Sequence, residues 1–443
     1  MKQASSHIKF ILLLSFMTFA AGSAFSQGVV VNKYTFGEGY DFTTYDDDDY
    51  SIAISGFVQP SYERKFYTDH EFDGPAQRFR MRRIRLRYTG TAARQRIIWR
   101  LQGEFSGNLE GDASIANYLT DAWVGYRLSR RWKLRVGQKN TPTDNRQLLI
   151  RSHSLQLVER SRITGAFSTI REFGAFLDGT VPLGRGMYIK PSAVITNGDG
   201  VNAFNADLGG FKYGGRLDFL PFGLFTNLGQ YHEMDMMREQ VPRLVFGVTY
   251  SYNEGVSSRR GRESGSIRYL NDANELSLPD FEKIGVDFLF KYRGFSALGE
   301  FVTTRAYVPT DITQRIRNDG SITGTFPVGD TDDMVNYVKG RMMLGTGVQL
   351  QMGYLFKNRF SVDARFTNLA AAEHSFLNNG TFYNRPNYYT FGLAQHFGKF
   401  YGAKVQASIT YVEVNPGSND INGLGNPMTG NELIFRLITS IAF

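Results

Sequence analysis

Cysteine is absent from this 443-residue chain. Disulfide staples, thiolate metal sites and a lipid-bearing cysteine are therefore excluded. Long apolar runs are scarce as well: beyond the N-terminus none reaches the roughly 18 residues that a membrane-crossing helix needs. No long helical period occurs after residue 26, which sets the chain apart from most soluble enzymes of this size. Catalytic motifs are missing too, with no His-Glu-x-x-His pair and no Gly-x-Ser-x-Gly elbow. His70, His153, His232, His374 and His396 are scattered, so neither a metal site nor a cofactor is expected. Gly345-Thr346-Gly347 lacks the third glycine of a nucleotide loop.

The N-terminus has the order of a secretory signal. Lys2 and Lys9 precede the apolar run Phe10–Met17, small residues follow through Ala24, and Ala24-Phe25-Ser26 fits a cleavage site before Gln27. Residues 1–26 are thus expected to be a signal peptide. The net charge of +8 loses Lys2 and Lys9 with it, leaving +6. Export argues against nucleic acid as the partner of that charge. Residues 27–50 look like a polar periplasmic linker ending in Asp46–Asp49, a solvated tether without the spaced ligands of a calcium loop. So short a lead leaves no room for a transporter plug.

From Ser51 onward the period is two. Val286, Phe288 and Phe290 alternate with Gly285, Asp287 and Lys291, with Leu289 as an exception. Val348, Leu350 and Met352 alternate with Gly347, Gln349 and Gln351. Such strands have one oily and one wet face. Seventeen stretches of eight to thirteen residues fit, close to the roughly 9–11 that cross a tilted barrel wall. Bacterial single-chain barrels have even strand numbers, and 224–232 is the odd stretch. An all-β fold follows: an antiparallel transmembrane β-barrel over 51–443 with 16 strands, 18 being the next even count. Tight turns at 128–131, 293–294, 357–358 and 398–399 alternate with long connections at 140–170, 254–283, 305–342, 368–388 and 413–431. That asymmetry belongs to outer-membrane barrels. Parity fails between 224 and 284, where two long connections fall on opposite sides. Rings near strand ends (Tyr88, Phe105, Tyr126, Trp132, Tyr292, Phe356 and Phe397) fit interfacial girdles. The last strand carries Leu433, Phe435, Leu437, Ile441 and Phe443 on one face.

One feature is dense. Arg78, Arg80, Arg82, Arg83, Arg85, Arg87, Arg94, Arg96 and Arg100 occupy one hairpin that holds no acid. Ile84, Leu86 and Tyr88 form its apolar face, which turns Arg83, Arg85 and Arg87 to the lumen at steps of roughly 6.6–6.8 Å. Phe79 and Met81 have the opposite phase, so a bulge is expected near Arg82–Arg83. By the same alternation Arg96, Arg100, Lys133, Arg135 and Lys139 face inward, partly offset by Glu104 and Asp121. Residues 140–170, with Arg146, Arg151, Arg160 and Arg162, are expected to fold into the lumen and narrow it. These residues outline an anion path: Arg83, Arg85, Arg87, Arg96, Arg100, Arg135, Lys139 and Arg160.

The run Phe79-Arg80-Met81-Arg82-Arg83-Ile84-Arg85-Leu86 resembles the signature strand of the phosphate-selective porin O and P family. Thr120–Tyr126, Arg135–Pro142, Glu159-Arg160-Ser161, Arg171–Gly174 and Thr196–Gly198 resemble further pieces in the same order. The resemblance implies a sixteen-stranded, homotrimeric outer-membrane barrel with an inward-folded third loop. It also implies an arginine ladder that guides phosphate or similar small anions past a lysine, with Arg83, Arg85 and Arg87 on the ladder and Lys139 in the Gly-Gln-x-Lys position. Outer-membrane lipid and lipopolysaccharide would be its surroundings. A structural or assembly barrel with a loop-closed lumen is the alternative from another class; an enzyme ranks below both.

Overall fold

A computed structural model describes residues 30–43, 50–68, 76–106, 118–200, 208–259, 268–317, 319–378, 385–398, 400–415 and 430–443. The segment 1–26 expected as a signal, Asp46–Asp49 and His70 lie outside the described residues.

Sixteen antiparallel strands close into one barrel. They are β1 (Ser51–Tyr67), β2 (Ala76–Ala92), β3 (Ile97–Glu104), β4 (Leu119–Arg127) and β5 (Trp132–Lys139). Next come β6 (Glu172–Gly179, continued by Val181–Gly184), β7 (Met187–Thr196), β8 (Lys212–Leu220) and β9 (Arg243–Asn253). The wall continues with β10 (Asp280–Tyr292), β11 (Phe295–Tyr307), β12 (Gly345–Leu355) and β13 (Phe360–Ala371). Finally β14 (Asn387–Phe397), β15 (Ala403–Val412) and β16 (Glu432–Ala442) return to the start, where β16 pairs with β1. Closure removes both sheet edges, so every strand's backbone finds its partners within the wall.

The sixteen-strand expectation holds, and the odd stretch is the one that is not a strand. Residues 226–231 form a 3₁₀ turn in which Asn227 and Leu228 adopt left-handed backbone angles. This turn belongs to a long connection, 221–242, that leaves and re-enters the wall at the short-turn end. Two long connections on opposite sides are therefore real, and parity is restored by strand loss. Part of the segment read as a linker is ordered as well: Val30–Thr35 and Gly39–Thr43 form a hairpin that pairs with Ser51–Ile54 of β1.

The two faces follow the period-two pattern. Val124, Val136, Val248, Phe391 and Ile441 point outward and are about half exposed. Alternate residues point inward and are polar. Some inward positions are apolar instead, and four of them, Leu220, Val245, Leu289 and Leu298, are fully buried and pack with Ile150, Leu155 and Phe225. The Leu289 exception thus has a cause, because this stretch of lumen wall is covered by protein rather than water. At the long-loop end, Ile163 and Phe167 of the helix Arg162–Phe167 pack on Val302 and Leu369 of the wall. Above them, Val256, Leu278 and Ile312 join Tyr269, Phe326 and Val338 in one cluster.

Candidate functional site

The arginine strand β2 is bulged where the phase change requires it. Gln59 of β1 pairs with Arg83 and Pro60 with Met81, so Arg82 has no partner residue across the ladder. Pro60 lacks an N–H, and a bulge beside a proline costs the ladder little. The extra residue lets Arg80, Arg82, Arg83, Arg85 and Arg87 all reach the lumen, while Phe79 stands 85% exposed on the outside.

Two connections fold into the barrel from opposite ends. From the long-loop end comes 140–170, as the sequence pattern predicts. Its Arg146 is buried and bonds Asp218 at 2.7 Å and Asp287 at 2.6 Å. Asn145 and the backbone of Gln147 donate to Glu300, and Lys283 pairs with Asp144. From the short-turn end comes 221–242, which the sequence pattern does not reveal as a lumen segment. Lys291 donates to the carbonyls of Gly229 and Met234, both at 2.9 Å, and Tyr401 caps Met234 at 2.5 Å. The segments meet at Glu233, whose carboxylate accepts from Gln147 Nε2 at 2.8 Å, Gln156 N at 2.5 Å and Gln351 Nε2 at 3.0 Å. Nearby, His232 stacks on Tyr401 at 4.3 Å and His153 packs on Phe57 at 5.1 Å.

The space left open is a cavity of about 1220 Å³. Its lining comes from β1–β8, β13–β16 and both inward connections, the second through Leu228 and Tyr231; among the described residues β9–β12 contribute none. Twenty-one lysines and arginines face it against six carboxylates. Seven of the eight expected residues are among them: Arg83, Arg85, Arg87, Arg100, Arg135, Lys139 and Arg160. Arg96 is not. It closes the exposed turn 93–96 beneath the wall, because the strand whose alternation placed it inward begins only at Ile97.

The ladder is braced rather than bare. Glu159, from the inward loop, accepts Arg82 Nε at 2.5 Å and Arg83 Nη2 at 3.0 Å. Burial alone would raise that carboxyl, but the charges of Arg83 and Arg82 and the Arg82 hydrogen bond outweigh it and hold it well below the usual range. Arg85 pairs with Glu104 at 2.6 Å and donates to Ser152 of the loop at 3.0 Å. Asp121 takes Arg171 at 2.7 Å and Arg100 at 3.7 Å, Asp178 takes Arg135 at 3.0 Å, and Glu63 takes Arg78 at 2.7 Å. Glu159 and Arg171 are functional partners that spacing could not assign, though both stand in pieces that carry the family resemblance.

Three of the expected path residues in the cavity meet only neutral acceptors. Arg87 bonds Gln102 at 2.7 Å. Lys139 bonds the Asn140 carbonyl at 2.8 Å and lies 4.3 Å above the Phe176 ring. Arg160 reaches the carbonyls of Gln147 and Ile150 and the Ser152 hydroxyl. Burial, with Arg83 and Arg85 beside it, pushes the Arg160 guanidinium down to about 9. None of the three bonds a carboxylate directly, which leaves charge-assisted donor capacity at the cavity wall. Among the described residues no group of His, Asp or Glu is placed to hold a metal ion.

Residues 54–181 match the phosphate-selective porin O and P family. The porin match runs from β1 through β6 and so contains the ladder, its Glu159 brace and the inward loop. No curated protein matches the chain. In shape it is similar to an anion-selective porin from Comamonas acidovorans, at 11% identity and a TM-score of 0.49, over 89% of this chain and 100% of that one. It is also similar to OmpF of Salmonella typhi in complex with daunomycin, at 12% identity and 0.49, over 90% and 100%. OmpT of Vibrio cholerae follows at 10% and 0.46, over 89% and 98%. The closed barrel, the outward apolar belt and the porin match over residues 54–181 place the chain in the outer membrane.

Proposed function

We propose that the barrel is a passive, water-filled channel that favours small anions, of the phosphate class, over cations. The carrying observation is the excess of cationic lining, including Arg87, Lys139 and Arg160, which lack a carboxylate partner. A cation entering this space meets repulsion that the low-dielectric wall strengthens. An oxyanion instead finds arginine forks able to bind it through two hydrogen bonds at once. Binding spread over several such groups stays weak enough at each to permit exit. Assembly as a homotrimer within outer-membrane lipid and lipopolysaccharide belongs to the same proposal, and light scattering in mild detergent tests it.

Reversal potentials in a planar bilayer under a potassium chloride gradient test the selectivity. Anion preference is expected, with chloride current falling as phosphate is added. A cation-selective channel at low salt would overturn the proposal. Absence of any conductance would favour the barrel with a closed lumen, and anion preference without phosphate block would remove only the phosphate claim.

A further inference from the structure

The short-turn end of the barrel carries a second charge pattern, of which only Arg131 also borders the cavity. Turn 93–96 presents Arg94 and Arg96, turn 128–131 Arg130 and Arg131, and the turn after β6 Arg185. Arg293 follows in the β10–β11 turn, and Lys357 with Arg359 in the β12–β13 turn. None of these five turns contains an aspartate or glutamate. The first three turns are each two strands apart, about 10 Å along the wall, as are the last two, and the connection 221–242 lies between the two groups, so the charges span much of the perimeter at this end.

Backbone conformation gives a second, independent observation. Arg94, Arg185, Arg293 and Arg359 all have left-handed φ, at 54°, 51°, 47° and 65°. That region is costly for residues with a Cβ and least so for asparagine and aspartate. At 185–186 and 293–294 the sequence reads Arg-Gly where a two-residue hairpin turn favours Asn-Gly or Asp-Gly. Arginine is thus held where local turn chemistry selects against it, and asparagine or aspartate would fit the turn better. Directly above the ring the outward wall is apolar, with Leu128, Leu183 and Phe356 each about half exposed. Apolar wall passing into exposed cations is the arrangement of a membrane interface.

We propose that this ring binds the phosphate headgroups of anionic phospholipids in the leaflet on the short-turn side. A belt around the perimeter matches an annulus of lipid, whereas a docked protein would need its charges gathered on one side. The inference does not depend on what passes through the lumen.

Tryptophan fluorescence reads it directly. Of the chain's three tryptophans, Trp99 is the third residue of the strand after turn 93–96, Trp132 begins the strand after turn 128–131, and Trp123 is buried. The full-length barrel would be placed in phosphatidylcholine vesicles containing either brominated phosphatidylglycerol or brominated phosphatidylcholine. Quenching is expected at several-fold lower fractions of the anionic lipid, with the difference shrinking in high salt. The variant R94N/R96Q/R130Q should lose the difference. Its unfolding midpoint in neutral detergent should stay unchanged or rise, because asparagine suits the turn. Equal quenching of wild type by both lipids would overturn the proposal, and so would a variant that retains the anionic preference.

Discussion

Arg85 and Arg87 stand two residues apart on the same face of β2, and their partners differ. Arg85 neutralises the buried Glu104, which also accepts the backbone N–H of Ile84 at 2.8 Å. Arg87 leans on a glutamine. Arg85→Gln should therefore leave a carboxylate unpaired and lower stability by about 1–3 kcal/mol, seen as an earlier shift in heat-modified gel migration. Arg87→Gln and Lys139→Gln should leave that transition in place and reduce the anion-to-cation permeability ratio. Glu159 gives a second contrast. A carboxyl held below its ordinary value contributes stability above about pH 4.3, which is lost as pH falls toward the folded value. Wild-type loop 140–170 should stay anchored through mild acid, whereas Glu159→Gln should show at neutral pH the added open-channel noise that wild type shows only in strong acid. The phases of these arginines were legible from Ile84, Leu86 and Tyr88, and the bulge from Phe79 and Met81. Their partners were not, because Glu159 lies more than seventy residues away and only folding brings it to the ladder. Arg96 failed for a local reason: alternation cannot tell the last residue of a turn from the first of a strand.

At the scale of elements, strand positions were legible almost throughout, since a wall with lipid on one side and water on the other imposes a strict period. The segment 221–242 escaped because lumen filling has no period of its own. Its trace lies on other elements, in Leu220, Val245, Leu289 and Leu298, which are apolar at inward positions and cluster over the segment. The His153–Tyr401–His232 group joins this segment to the other inward loop and to the residues just before β15. Both imidazoles are held well below their ordinary values, first by burial and then by Arg151, with Arg87, Lys404 and Arg85 also facing His153 and Lys291 facing His232. Each is neutral in the folded state, so the contribution is complete above about pH 6.5 and declines as pH falls below it. Acidification to about pH 5 should accordingly loosen 221–242 and raise hydrogen exchange there before the strands respond. His232→Phe, which keeps the stack and removes the proton, should shift that onset to lower pH.

For the whole molecule, the consequence is an off-centre path. Two inward segments cover β9–β12, and the open space follows the remaining wall, where the cations are concentrated. The absence of cysteine makes this directly testable, because any introduced thiol is the only one. Ser192 on β7 lines the cavity, while Ser296 on β11 is fully buried beneath 221–242, accepting Asp235 N at 3.0 Å. Serine and cysteine are close in size, so both substitutions should fold. A negatively charged thiol reagent added to an open channel should react quickly with the cysteine of Ser192→Cys, and a positively charged one of similar size more slowly, since the cationic lining concentrates the first and repels the second. Raising salt from 0.1 M to 1 M shortens the screening length from about 10 Å to about 3 Å and should narrow that difference. Ser296→Cys should resist both reagents until 221–242 is displaced. Rapid labelling of Ser296→Cys at neutral pH would mean that ions also pass along β9–β12, and the off-centre path would have to be abandoned.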